Sequence, residues 1–253
     1  MSDPLPEQLL LDLGRPPAPT LDNFLPGRNA ELLHALAALA TSAKADMGER
    51  FLYLWGASGS GRSHLLRAVS ADSTAVYWSC AEPPGAEITG QAANALQWHG
   101  STKLWAIDDV QDAGPAEQIA LFSLINEVRA DPDSRAAMVL AGDTAPGNLS
   151  LRDDLRTRLA WGLVFQVHTL SDDEKDAALT LRAGQRGLAL PAEVRRYLLS
   201  HCSRDMSSLM HLVDALDAFA MQRHRAVTLP LVREFSQELS LGRVSRSAAA
   251  PFP

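Results

Sequence analysis

The run from Tyr53 to Ser63 constrains this chain more than any other part of the sequence. An apolar strand, Tyr53-Leu54-Trp55, leads into Gly56-Ala57-Ser58-Gly59-Ser60-Gly61-Arg62-Ser63, which has the spacing GxxxxG followed by a basic residue and Ser or Thr. Glycines at this spacing let backbone N–H groups turn towards phosphate oxygens, and the following helix presents its positive end to them. The run predicts a nucleotide-binding loop; a strand that ends in a flexible glycine loop is the alternative. The residues expected to bind the nucleotide here are Gly56, Ser58, Gly59, Ser60, Gly61, Arg62, Ser63 and His64.

Arg62 occupies the position where such loops usually carry lysine. Lysine places a compact point charge between the terminal phosphates, whereas arginine is a bulkier planar fork. We therefore expect nucleotide binding to be kept and the chain's own hydrolysis to be weak or absent.

Composition favours a globular chain with protein partners. Of its 253 residues 46% are apolar, enough for a sizeable core, and the formal net charge is −7. Because this charge provides no general cationic face for a phosphate backbone, we expect little direct nucleic-acid binding. Cys80 and Cys202 are too few for a disulfide framework or a zinc site. Without a signal-peptide pattern or a bilayer-length apolar run, the sequence predicts a cytoplasmic protein with no membrane partner.

Residues 1–20 predict an arm. Its one apolar cluster is Gln8-Leu9-Leu10-Leu11-Asp12-Leu13, and a proline-rich stretch, Gly14 to Pro19, follows. Proline-rich segments favour extended polyproline II, which would hold the leucines away from the body. An arm that folds back over an apolar surface is the alternative.

Residues 21–167 alternate apolar strands with helical stretches, which predicts an α/β domain with a parallel five-stranded sheet covered on both faces. We expect strands at Phe51–Trp55, Ala75–Ser79, Lys103–Asp108, Ala137–Ala141 and Leu163–Val167. We expect helices at Ala30–Ser42, Ser63–Ala71, Thr89–Leu96, Pro115–Ala130 and Leu149–Arg156.

Residues 168–241 predict a small all-α domain. Ser171-Asp172-Asp173-Glu174 is a capping box that starts its first helix, and an apolar stripe from Met206 to Ala220 forms core. The small, polar, proline-containing residues 242–253 are expected to be disordered. The expected helices are Asp172–Arg186, Pro191–His201, Asp205–Arg223 and Leu231–Leu239.

Acidic side chains follow two strands of the predicted sheet, at the edge where ligands of open parallel sheets lie. Asp108 could hold Mg²⁺ through water while Ser63 supplies its hydroxyl, and Asp109 could orient an attacking water. Asp143 follows the next strand and could sense a terminal phosphate, or be an ordinary turn aspartate.

Three arginines, Arg152, Arg156 and Arg158, bracket a predicted helix end before the last strand. An arginine that points outward there could enter a neighbouring subunit's nucleotide site and stabilise the negative transition state. A solvated or salt-bridged arginine is the alternative.

Together these motifs resemble the AAA+ ATPases of the DnaA initiator clade, over roughly residues 21–240. The resemblance rests on the loop, the Asp108-Asp109 strand end, the Asp143 turn and Arg158-Leu159-Ala160-Trp161-Gly162, in that order. Leu25-Pro26-Gly27-Arg28-Asn29 is similar to the start of that clade's ATPase domain, where the adenine pocket lies. The resemblance implies an AAA+ P-loop domain followed by an all-α lid.

Within this clade the chain is similar to the Hda family, the regulatory inactivators of DnaA. Initiators carry a long N-terminal interaction domain and a C-terminal helix-turn-helix domain, and the sequence leaves room for neither. Gln8-Leu9-Leu10-Leu11-Asp12-Leu13 is similar to the peptide that docks on the bacterial sliding clamp. The Gly-Arg-Ser loop ending and the lid entry Leu170-Ser171-Asp172-Asp173-Glu174-Lys175 are also typical of that family.

This resemblance implies a mechanism. A protein bound to ADP or ATP docks through its arm on the DNA-loaded clamp, contacts ATP-bound DnaA and triggers hydrolysis of the initiator's ATP. Arg158 matches the family's arginine-finger position. The family's second sensor arginine aligns with Ser207, with Arg204 the nearest arginine, so we expect little intrinsic hydrolysis.

Two other functions stay open. A helicase loader of the DnaC type would bind single-stranded DNA and a helicase, which the acidic balance and the arm disfavour. The second open function is that of another DnaA-like ATPase, such as an initiator paralogue that acts only as a scaffold. The sequence does not decide the resting nucleotide, the presence of Mg²⁺ or self-association into a homo-oligomer.

Overall fold

The computed structural model describes residues 18–41, 50–72, 74–81, 96, 103–130, 136–202 and 206–240. These residues fall into two compact units, an α/β unit over Pro19–Thr169 and a helical unit that begins at Leu170. Four predictions lie outside the described residues: the arm peptide Gln8–Leu13, the helix at Thr89–Leu96 except its last residue, Arg204, and the tail 242–253.

Five parallel strands form the sheet of the α/β unit, in the order β2-β3-β4-β1-β5. The strand β1 lies in the middle, with Tyr53 opposite Leu140 on one side and Val164 on the other. Burial on both faces explains why β1 and its neighbour β4 are continuous apolar runs. The predicted parallel five-stranded sheet is confirmed. The strands are β1 (Phe51–Trp55), β2 (Ala75–Ser79), β3 (Leu104–Asp108), β4 (Ala137–Gly142) and β5 (Leu163–Gln166).

Helices cover both faces of this sheet. Because successive side chains of a strand point to opposite faces, Leu52 and Leu54 pack with α1 and α2, whereas Phe51 and Tyr53 pack with α3 and α4. The two cores are therefore built from alternate residues of the same strands. The helices are α1 (Ala30–Thr41), α2 (Arg62–Val69), α3 (Pro115–Ala130) and α4 (Asp153–Leu159).

One helix differs from its prediction. The sequence predicts a helix at Leu149–Arg156, whereas α4 spans Asp153–Leu159. Leu149 and Leu151 are buried before the helix starts, and Leu149 has an extended backbone. Burial of these leucines holds the chain in a non-helical path, and the two aspartates of the first turn then complement the positive helix end. Arg158 consequently lies in the last turn of α4.

The helical unit contains the four predicted helices, and its capping box is confirmed. The Ser171 hydroxyl accepts from the Glu174 N–H at 3.2 Å, and the Glu174 carboxylate accepts from the Ser171 N–H at 2.7 Å. These two bonds satisfy donors that have no partner inside the helix. The helices are α5 (Asp172–Gln185), α6 (Ala192–His201), α7 (Met206–Arg223) and α8 (Leu229–Ser240).

Arginines tie these helices together around their apolar core. Arg182 on α5 donates to Asp214 on α7 through two nitrogens, at 2.9 and 2.6 Å. Arg195 on α6 binds Asp176 on α5 in the same bidentate way, at 2.7 and 3.1 Å. Paired donors of this kind fix orientation as well as distance. None of the described helices has the length and apolarity that crossing a bilayer requires.

Candidate nucleotide-binding site

The glycine loop joins the end of β1 to the start of α2. Gly59 and Gly61 have φ angles of 77° and 96°, a region that other residues rarely adopt. No side chain caps α2, so the N–H groups of its first turn remain available to an anion. The loop thus has the backbone geometry of a phosphate-binding turn.

Two neighbouring segments press on this loop and explain its glycines further. A Cβ on Gly56 would overlap the Val167 carbonyl oxygen. A Cβ on Gly61 would lie 2.6 Å from Cε2 of Phe24. Phe24 belongs to the segment before α1 and directly precedes Leu25–Asn29, where the family resemblance implies an adenine pocket.

Polar atoms of the loop are buried without partners in the described part of the chain. Ser60 is 6% exposed, and its Oγ makes no hydrogen bond there. The Nη1 of Arg62 is likewise buried and has no hydrogen-bond partner there. Buried donors without partners are costly, and phosphate oxygens would satisfy both. These two orphaned donors fit a bound nucleotide.

His64 and the exposed hydroxyls of Ser58 and Ser63 complete the predicted loop residues. His64 Nε2 lies 3.0 Å from the Thr20 carbonyl oxygen, and its ring lies 5.7 Å from that of Phe24. Because a carbonyl oxygen only accepts, Nε2 carries the proton in this contact. His64 therefore anchors the segment before α1 to the loop.

Asp108 ends β3 and is 1% exposed. Its Oδ2 accepts from the Tyr77 hydroxyl at 3.0 Å, and its Oδ1 accepts from the Asp109 N–H at 3.0 Å. Burial raises the pKa of Tyr77 to about 12, and the neighbouring Asp108 carboxylate also raises it, while Arg67 lowers it. The phenol therefore keeps its proton at physiological pH and donates a hydrogen bond to Asp108.

Asp109 adopts a left-handed conformation with φ 54°. Its Oδ2 accepts from the Ser79 hydroxyl at 3.0 Å, and its Oδ1 from the Gln111 amide at 3.4 Å. Donors from β2 and from the following turn thus hold the carboxylate. An attacking water would have to donate to the lone pairs of Asp109 that these bonds leave free.

Asp143 is exposed after β4, and its N–H donates to Gln111 Oε1 at 3.1 Å. Gln111 therefore links the ends of β3 and β4, a role that the sequence analysis missed. The available signal was its position two residues after the acidic pair. Nearby, burial raises the pKa of Tyr53, Asp143 raises it further and Arg62 lowers it. Because both charged groups affect the phenol of Tyr53, Arg62 and Asp143 lie near the same end of the sheet.

The oxygen donors suit Mg²⁺. Ser63 would supply a hydroxyl and Asp108 a carboxylate, the hard ligands that this ion prefers beside nucleotide phosphates. Each Asp108 oxygen accepts one described hydrogen bond and retains further lone-pair capacity. Within the described ranges, no group of three His, Cys, Asp or Glu side chains converges as a metal cage. A bound ion would therefore depend on the nucleotide, whose charge it would neutralise.

The three arginines of the α4 region have different surroundings. Arg152 pairs with Asp154 at 2.6 Å, and Arg156 pairs with Asp153. Arg158 instead places its guanidinium carbon 3.5 Å from the ring centroid of Trp161. It is half-buried and forms no ion pair with a described acid. At the predicted second-sensor position, Ser207 lies in the first turn of α7.

Comparisons with known proteins agree with this architecture. Residues 172–235 match the family model described as Hda, lid domain. AMPPCP-bound DnaA from Aquifex aeolicus is 22% identical with a TM-score of 0.61, and the match covers 79% of this chain and 65% of that chain. The chain therefore spans just under two thirds of that initiator.

Two further structures have the same fold. Domain III of the Thermotoga maritima DnaA is 19% identical with a TM-score of 0.61, and the match covers 90% of this chain and 98% of that domain. A point mutant of Thermotoga maritima RuvB is 18% identical with a TM-score of 0.60, over 88% of this chain and 72% of that chain. At these identities the likeness shows the fold.

The parallel sheet, the glycine loop and the helical unit define the class: the chain has the AAA+ P-loop fold with an all-α lid. Within that class it is similar to Hda. The matched lid domain confirms the resemblance to Hda over residues 172–235, and the initiator structures show the shared fold.

Proposed function

We propose that this chain regulates the initiation of chromosome replication by switching off the initiator DnaA. Bound to ADP or ATP in the cytoplasm, it docks on the DNA-loaded sliding clamp, the beta subunit of the DNA polymerase. There it contacts DnaA and stimulates hydrolysis of the ATP that DnaA holds. The match to the Hda lid domain and the initiator folds support this role.

The environment of Arg158 carries the proposal. Its neighbours Arg152 and Arg156 are neutralised by carboxylates of their own helix, whereas Arg158 retains its full charge on an aromatic surface. A finger must bring an uncompensated charge to a partner's triphosphate, where it stabilises the transition state by roughly 10³ to 10⁵ in rate. Among these three arginines, Arg158 is the one whose charge the described acids do not offset.

The chain's own nucleotide site serves binding. AMPPCP is bound in two of the similar DnaA structures, which supports an adenine nucleotide here. Arg62 in place of lysine and the short carboxylate of Asp109 disfavour rapid turnover. We infer that the nucleotide holds the protein in its active form and that its own ATPase is weak or absent.

The leucine arm provides the dock. Gln8-Leu9-Leu10-Leu11-Asp12-Leu13 binds the clamp, and the proline-rich stretch that follows it tethers the rest of the chain to that site. Tethering raises the local concentration of the regulator near clamp-bound DNA without any new contact to DnaA. Inactivation is thereby confined to chromosomes under replication.

The test measures turnover of radiolabelled ATP prebound to DnaA. We expect the wild-type chain to accelerate hydrolysis when DNA-loaded clamp is present and to have little effect with free clamp or without clamp. A rate unchanged by the chain in all three conditions would exclude the proposal. Binding to a helicase and to single-stranded DNA instead would identify a helicase loader of the DnaC type.

A further inference from the structure

Trp161 lies between two arginines. The guanidinium carbon of Arg158 is 3.5 Å from its ring centroid, and that of Arg129 is 3.9 Å from the same centroid. Two guanidinium groups cannot both lie this close to one centroid on the same face without overlapping each other. They therefore occupy opposite faces, and the three side chains form a stack with the indole in the middle.

The fold fixes the backbone position of Trp161. Its backbone N–H donates to the Arg158 carbonyl oxygen at 3.1 Å, immediately after the end of α4. The next residue, Gly162, passes so close to the Phe51 carbonyl at the start of β1 that a Cβ would overlap it. Arg129 comes from the last turn of α3, so the second cation is contributed by a different helix.

The charges in this stack are not offset by described carboxylates. Neither Arg129 nor Arg158 forms an ion pair with an acid in the described part of the chain. Each guanidinium is attracted by the negative face of the indole, an attraction that leaves its net charge in place. The stack thus orders an arginine without neutralising it.

A competing carboxylate is close in sequence. Asp154 precedes Arg158 by four residues on α4, the spacing at which helical acid and base pairs form. Asp154 is instead bound to Arg152 at 2.6 Å, and Arg158 lies on Trp161 and 5.5 Å from the ring centroid of Phe122. The indole therefore offers Arg158 an alternative to a salt bridge within its own helix.

We propose that Trp161 is a positioning residue for Arg158, holding its guanidinium extended and away from Asp154, with Arg129 closing the stack on the other face. This inference rests on the proposed action of Arg158 at the triphosphate of DnaA. In this proposal Trp161 acts only through Arg158. Its loss lets Arg158 explore other rotamers and pair with Asp154, which removes the charge that the partner's ATP requires.

The stack is tested first without any activity. In the full-length chain, arginine Nε–H resonances are recorded by NMR and assigned with Arg129→Lys and Arg158→Lys. Both arginines should show upfield ring-current shifts that disappear in Trp161→Leu, a variant that keeps an apolar side chain without a π face. Unshifted resonances in the wild type would overturn the proposal.

The functional test separates rate from affinity. ATP hydrolysis on DnaA is followed in single turnover while the concentration of each variant is raised to saturation on loaded clamp. We expect Trp161→Leu to lower the saturating rate about fivefold to thirtyfold, with half-saturation changed less than twofold. Trp161→Phe keeps an aromatic face and should restore most of the rate.

A second substitution distinguishes positioning from simple damage. In the Trp161→Leu background, Asp154→Asn removes the competing carboxylate, so part of the lost rate should return. A full saturating rate in Trp161→Leu, or no recovery with either Phe or Asn, would overturn the positioning role. If the wild type itself fails to stimulate DnaA, the positioning role falls with the proposed function, whereas the NMR shifts decide the stack independently.

Discussion

Arg158 shows how one residue type acquires different properties along one short helix and the residue that precedes it. Arg152, Arg156 and Arg158 lie within seven residues, yet the first two are bound by aspartates and the third rests on an indole. Ion pairs at exposed positions stabilise a fold by little, about 0–1 kcal/mol. The placement of these pairs therefore matters more for which charge remains available than for stability.

Replacing Arg158 with alanine should leave folding, nucleotide binding and clamp binding unchanged and should lower the stimulated hydrolysis on DnaA roughly 10³-fold. The reason is that its cation acts on another protein's transition state. Single-turnover hydrolysis on loaded clamp measures this loss. Arg196→Ala removes an equal charge from an exposed position of α6 and serves as the control.

An undiminished rate in Arg158→Ala would contradict the assignment. The same assay on Arg152→Ala and Arg156→Ala would then show whether one of the paired arginines acts as the finger. A fall in clamp binding or in thermal stability together with the rate would indicate a structural role instead.

Cys80 is a buried thiol, 8% exposed, beside the acidic end of β3. Burial, together with the nearby carboxylates of Glu117 and Asp109, raises its pKa to about 12. In the unfolded chain the thiol ionises near pH 9. Below that pH it is neutral in both states. Above it the unfolded state releases a proton that the folded state keeps.

Unfolding should therefore become easier as pH rises from 9 towards 12. We expect Cys80→Ala to be less sensitive than the wild type over this window, by up to about 1.4 kcal/mol per pH unit. Urea titrations under reducing conditions at pH 7, 9, 10 and 11 measure the difference. The gap between the two proteins should be constant below pH 8, and equal slopes above pH 9 would contradict the pKa shift.

At the scale of elements, the glycine loop depends on conformations that side chains oppose. Gly61 has φ 96° and lies against Phe24, whereas Gly147 has open space around its Cα. Gly61 is therefore required by its backbone conformation and its contact with Phe24, whereas the surroundings of Gly147 would accept a side chain. The loop and α2 form one unit, because the left-handed Gly61 leads directly into the helix, whose first N–H groups no side chain caps.

Gly61→Ala should cost about 1–2 kcal/mol for the left-handed backbone, with a further penalty from the ring of Phe24. Nucleotide affinity should fall as well, since the first turn of α2 shifts. Calorimetry of ADP and ATP binding and thermal melts measure both effects. Gly147→Ala is the matched control and should change neither; a wild-type affinity in Gly61→Ala would contradict the phosphate-loop geometry.

At the scale of the whole molecule, the proposed function requires three parts of the chain, each with its own role. In this proposal the arm would bring the chain to the clamp and the α/β unit would bind the nucleotide and present Arg158, while residues 172–235 match the Hda lid domain. A tether of this kind acts through effective concentration, which reaches the millimolar range for short linkers. The proposed regulation at the clamp would therefore need only a weak direct contact with DnaA.

Replacing Gln8 and Leu13 together with alanine should abolish clamp binding while ADP and ATP binding stay at wild-type strength. The side chains removed belong to the arm, and the nucleotide loop is built from other residues. Surface plasmon resonance against immobilised clamp, with calorimetry for the nucleotide, tests this. Asp3→Ala serves as an arm control, and clamp affinity retained by the double variant would show that the arm interpretation is wrong.

Local sequence was sufficient for most elements of this fold. Buried parallel strands are continuous apolar runs, and the capping box at Ser171 and Glu174 marks a helix start within four residues. Helix α4 begins four residues later than predicted, because Leu149 and Leu151 are buried before it starts. Their burial is a tertiary effect that local sequence does not show.

By itself the sequence determined the nucleotide loop, the sheet and the lid, because glycine conformations, apolar runs and caps depend on residues close in the chain. Only the tertiary structure decided which groups meet. Pairing of β2 with β3 sets Ser79 opposite Asp108, which brings Tyr77 and Ser79 onto the two acids. Packing of α3 beside α4 brings Arg129 and Arg158 onto Trp161. The contacts of Tyr77, Ser79 and Arg129 join residues about 30 positions apart, and no local pattern encodes the strand order and helix packing that bring them together.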